Sequence, residues 1–62
     1  MKEYNFIYTD LEGNFLQEKK FDCYNNNDAM EMGTGLMCEC NVNECWIIEV
    51  RQGNDLICKI FR

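Results

Sequence analysis

Apolar residues recur with two different periods along this chain. Over residues 3–9 they alternate, with Tyr4, Phe6 and Tyr8 on one side and Asn5, Ile7 and Thr9 on the other. A period of two with aromatic enrichment predicts a β-strand. Asp10-Leu11-Glu12-Gly13-Asn14 breaks that pattern, and Gly13-Asn14 supplies the positive-φ positions of a hairpin turn. Residues 15–23 predict the returning strand, with Phe15, Phe21 and Cys23 in phase. Lys19-Lys20 within it marks a sheet edge, where charge blocks pairing with another chain.

The period then lengthens. Ala29, Met32, Gly33, Leu36, Met37 and Cys40 share one side of a helix over residues 28–40. Asn25-Asn26-Asn27-Asp28 supplies short polar side chains to cap its free N–H groups, and Asn41 suits a left-handed cap at its end. Gly33 lies on the apolar side, where it would let the helix sit close to a sheet. Gly33 and Gly35 each cost about 1 kcal/mol relative to Ala, so this helix depends on packing for its stability.

Alternation returns at residues 45–51, with Trp46, Ile48 and Val50 on one face, and at residues 56–61, with Leu56, Cys58 and Ile60 on one face. Gln52-Gly53-Asn54-Asp55 between them is a hairpin turn. The prediction is a single α+β domain over residues 1–62, a four-stranded antiparallel sheet with one helix on one face, in the order β-β-α-β-β. The opposite face would carry Ile7, Leu16, Ile47, Ile57 and Phe61. A bare sheet face is normally polar, so these residues raise the alternative of a homodimer through that face or through the sheet edges.

Composition narrows the functional classes. Eleven acidic side chains against six basic ones give a net charge of −5. That disfavours direct nucleic-acid binding, which needs Lys and Arg against phosphate, and disfavours anionic membrane surfaces. It suits a protein partner with a basic surface. No apolar run approaches the roughly 18 residues of a membrane span, and Met1-Lys2-Glu3-Tyr4 lacks a leader's apolar segment. The expected location is the cytoplasm.

Five cysteines, Cys23, Cys38, Cys40, Cys45 and Cys58, cannot all pair within one chain, and the expectation is thiols packed as small apolar groups. The alternative is a small cysteine-containing structural or metal-binding module, with zinc held by Cys38, Cys40 and Cys45 and by Cys23 or Cys58. On a continuous helix Cys38 and Cys40 would project about 160° apart, which argues against a shared metal unless the helix ends first. The acidic residues at the first turn do not meet the calcium-loop pattern. His and Ser are both absent, and no glycine loop for phosphate is present, so no enzyme activity and no cofactor are expected.

The remaining candidate chemistry is electrostatic. Asp28, Glu31 and Glu39 fall in one arc of the helix, opposite the Leu36 stripe, and Asp10, Glu12, Glu44 and Asp55 lie in turns. Such a surface imitates a line of phosphates. In size and element order the whole chain resembles the small phage-encoded anti-CRISPR proteins, on the strand at residues 4–9, the helix start at 26–28 and the closing hairpin through 46–51, 53–54 and 56–61. That resemblance implies a non-enzymatic inhibitor acting in a bacterial cytoplasm. It would block a CRISPR effector complex by occupying a guide or target-DNA surface.

Overall fold

A computed structural model describes residues 1–40 and 44–62. The elements are β1 (Lys2–Thr9), β2 (Phe15–Cys23), α1 (Asn26–Cys38), β3 (Ile47–Gln52) and β4 (Asp55–Phe61). The strands form one antiparallel sheet in the order β2-β1-β3-β4. The Lys19-Lys20 strand is therefore an edge strand, as its charge implies.

Alternation determines which side chains meet the helix. Tyr4, Phe6 and Tyr8 of β1 and Ile48 and Val50 of β3 are fully buried, and with Cys23, Ala29, Met37 and Cys45 they form the core. The helix lies mainly over β3 and β4 and little over β2. On the uncovered β2 side Phe21 packs edge-on against Phe6, with ring centroids 5.8 Å apart. Lys19 Nζ sits 5.6 Å from the Tyr8 ring centroid.

The helix occupies Asn26–Cys38, two residues earlier at each end than its apolar spacing suggests. Asn25 is the N-cap: its Oδ1 accepts from the Asp28 backbone N–H at 2.8 Å. The Asp28 carboxylate in turn accepts from the Tyr24 N–H at 3.0 Å. Tyr4 OH donates to Asn26 Oδ1 at 2.8 Å, tying the helix start to the sheet. Glu39 is the C-cap: its N–H donates to the Gly35 carbonyl at 3.1 Å, and the Cys40 N–H donates to the Met37 carbonyl at 3.3 Å. The proposed cap at Asn41 lies outside the described residues.

Both turns need glycine where it stands. Gly13 has φ 87° and Gly53 has φ 60°, whereas Asn14 and Asn54 have negative φ. With Gly53 first of two loop residues, the β3–β4 hairpin matches the type II′ preference.

Two β-bulges change the faces that simple alternation implies. One between Tyr8 and Thr9 pairs Thr9 with Phe15 and leaves Leu16 as the extra residue. The other pairs Arg51 with Leu56 and leaves Ile57 as the extra residue. An inserted residue reverses the side that follows it. Phe15 and Leu56 therefore turn away from the helix, to 65% and 45% exposure. Leu16 and Ile57, expected on the bare face, instead pack against the core, while Ile7, Ile47 and Phe61 take that face as expected. Trp46 precedes β3 rather than belonging to it. Among the described residues no helix is long and apolar enough to cross a membrane.

Candidate protein-binding surface

The antiparallel order sends the β1–β2 turn, the helix C-cap and the entry to β3 to one end of the sheet. The β3–β4 hairpin and the helix start lie at the other. The acidic residues singled out from the sequence are thus divided. Asp10, Glu12, Glu39 and Glu44 belong to the first end, Asp28 and Asp55 to the second, and Glu31 lies exposed between them on the helix. They are not gathered at one end of the sheet.

At the first end Asp10, Glu12 and Glu44 line a shallow, open cleft together with Leu11 and Trp46. The turn itself is built by Asp10. Its carboxylate accepts from the Glu12 and Asn14 backbone N–H groups, each at 2.9 Å, and from Asn14 Nδ2 at 3.0 Å. Donation by the Asn14 backbone and then its side chain holds the Asp10 carboxyl below its usual range, so the exposed group stays ionised. The Asp10 carbonyl accepts from Gly13 N–H at 3.1 Å and closes the loop.

Trp46 is anchored beside this turn by its backbone, which donates to the Thr9 carbonyl at 3.0 Å and accepts from Arg62 at 2.9 Å. The Arg62 guanidinium lies 5.6 Å from the indole centroid. The ring remains 39% exposed and Leu11 64% exposed, so two large apolar side chains stand among three carboxylates. Strand parity groups Trp46 on one face with Ile48 and Val50, and Leu11 reads only as part of the turn. The usable signal was local: an apolar residue between two acids in Asp10-Leu11-Glu12, and a tryptophan two residues after Glu44.

Asp28 serves the helix start through its bond to Tyr24 N–H. Glu39 is differently placed. At the C-cap it adds negative charge where the helix dipole is already negative, and the last turn carries no basic residue to compensate. Carboxylates at that position are disfavoured by about 0.3–1 kcal/mol at exposed sites, so helix stability does not account for Glu39.

The helix ends at Cys38, so the wheel argument separating Cys38 from Cys40 does not apply. Cys38 is exposed, while Cys40 interacts with buried Cys45. The Cys45 thiol also donates to the Ile47 carbonyl at 3.7 Å. Among the described residues no three His, Cys, Asp or Glu side chains converge as a metal site.

Comparison with protein-family models, curated proteins and solved structures found no match.

Proposed function

We propose that this protein is a non-catalytic binding module whose acidic end docks on a basic protein surface of the kind that otherwise holds nucleic-acid phosphate. The observation that carries this reading is the exposure of Leu11 and Trp46 among Asp10, Glu12 and Glu44. Tryptophan is enriched among the residues that dominate binding energy, and surrounding charge guides encounter and selects the partner. Glu39 extends the acidic character of this end at the expense of helix electrostatics. The reading agrees with what the resemblance to anti-CRISPR proteins implies, a cytoplasmic inhibitor that occupies the nucleic-acid groove of an effector complex.

The test is a tagged pull-down from a bacterial lysate containing CRISPR effector complexes, with bound proteins identified by mass spectrometry. An effector subunit should be recovered by the native chain and lost with Glu12→Lys/Glu44→Lys. Trp46→Ala should weaken the captured complex by about 30-fold, the effect of removing an aromatic anchor worth about 2 kcal/mol. Asp28→Lys/Asp55→Lys at the far end should bind as the native chain does. Equal loss in both charge-reversed variants would replace the acidic-end mechanism with a general charge effect. Unchanged binding in all of them would remove it.

A further inference from the structure

The sheet face away from the helix has a definite pattern of side chains, fixed by the registers. Its first cross-strand row, at the acidic end, is Phe15–Thr9–Ile47–Phe61. The next is Glu18–Ile7–Glu49–Lys59, and the third is Lys20–Asn5–Arg51–Leu56. Phe15 and Phe61 stand at the two ends of the first row, 65% and 62% exposed. Thr9 between them is only 4% exposed, and its hydroxyl, which has no hydrogen-bond partner, is itself buried, so the exposed surface of the row is that of Phe15, Ile47 and Phe61. Within the second and third rows Glu49 and Arg51 neutralise one another at 2.9 Å.

We propose that this face binds a second copy of the chain, face to face, about a two-fold axis running along the strands between β1 and β3. The pattern selects both the occupant and the axis. Rotation about that axis keeps each row in place and exchanges the outer strands. The apolar row then meets itself, with the two Ile47 side chains between the two Phe15–Phe61 pairs that the copies form. In the second row Glu18 meets Lys59 of the second copy, and the symmetry makes that pair twice. Rotation about the perpendicular in-plane axis would instead lay the aromatic row toward Glu3 and Asp22, which pair at the far end of β1 and β2. A self-complementary patch is what an isologous dimer requires.

The face is about 19 Å wide and about 17 Å tall from strand spacing and rise, so a face-to-face contact buries less than a standard interface and belongs with weak, transient associations. Micromolar rather than nanomolar association follows. The surface shares no residue with the acidic-end cleft, although its apolar row lies at the same end, so this inference does not depend on the proposed partner.

Sedimentation equilibrium from low micromolar concentration to about 500 μM tests it, a range set by the affinity expected of so small an interface. Mass should rise from monomer to dimer. Phe61→Asp should weaken association at least about tenfold through lost aromatic burial. Glu18→Lys and Lys59→Glu should each weaken it about fivefold, since two like-charge pairs replace two opposite ones. The double variant Glu18→Lys/Lys59→Glu should restore it, because the exchanged charges again meet across the axis. A merely structural role for either residue would not give that rescue. Circular dichroism verifies that each variant is folded. A monomer at every concentration overturns the proposal, and so does a dimer indifferent to Phe61→Asp or one without rescue by the double charge exchange.

Discussion

Individual side chains in this protein take their character from depth. Cys23 and Cys45 have no accessible surface, and Cys58 is half-buried. Burial pushes all three thiols up from their ordinary value, aided at Cys23 by Asp28 and Asp22 and at Cys45 by Cys40. They are therefore protonated at neutral pH and poor nucleophiles. A thiol-reactive dye should label Cys38 rapidly in the folded protein and reach Cys23 and Cys45 only on unfolding. Rapid labelling of Cys23 under native conditions would contradict the packing. The same shifts fix the sign of the alkaline response. The folded pKa values exceed the unfolded ones, so the contribution is complete below the unfolded thiol value of about 8.5 and is lost as pH rises through the folded values. The urea midpoint should hold through neutral pH and then fall. The fall should steepen where the phenol of Tyr8 titrates, since burial raises that group also. An alanine variant at Cys23 and Cys58 should show a shallower decline.

At the scale of elements, the helix and its two glycines make opposite predictions from the same residue type. A Cβ on Gly33 would run into Ile60 Cδ1 and lie 3.1 Å from Val50 Cγ2, while one on Gly35 would meet nothing. Both substitutions by alanine gain about 1 kcal/mol of helix propensity. Gly35→Ala should realise most of that gain as increased stability. At Gly33 overpacking against a fully buried valine costs about 1–3 kcal/mol, so Gly33→Ala should destabilise by about 1 kcal/mol net. Paired urea denaturation curves decide the matter: equal stabilisation by both would mean that the helix does not approach the sheet as closely as Gly33 implies. The close approach itself was legible in the sequence, because Gly33 falls in phase with Ala29, Met32, Leu36 and Met37. The helix ends were not. Asn25, Asn26, Asn27 and Asp28 can each act as a cap, and only the bonds from Asp28 N–H to Asn25 Oδ1 and from Tyr24 N–H to the Asp28 carboxylate select among them.

For the whole molecule, size and charge act together. A chain of 62 residues buries only roughly 60% of its unfolded surface and is marginally stable, so modest electrostatic terms are measurable. The net charge of −5 is concentrated unevenly, with Asp10, Glu12, Glu39 and Glu44 gathered at one end. Raising salt shortens the Debye length from about 30 Å at 0.01 M to about 8 Å at 0.15 M and screens that repulsion. The urea midpoint should therefore rise with sodium chloride over this range. A falling midpoint would show that attractive contacts such as Glu49–Arg51 and Lys19 over Tyr8 outweigh the repulsion.

The periodicities by themselves determined the element order, the edge position of the lysine-bearing strand, the helix face that packs, and the grouping of Tyr4, Phe6 and Tyr8, and of Ile48 and Val50, each on one strand face. Each follows from local geometry: a strand repeats every two residues and a helix every 3.6, and either pattern must present one side to a core. Tertiary structure alone decided what lies outside that repetition. Two bulges, invisible to a period of two, turned Phe15 and Leu56 onto the open face and folded Leu16 and Ile57 inward. Strand order decided which turns share an end, bringing Asp10, Glu12 and Glu44 around Leu11 and Trp46 and leaving Asp28 and Asp55 far away. Residues distant in sequence become neighbours only when strands pair across the sheet, and that pairing is a property of the assembled sheet rather than of any segment within it.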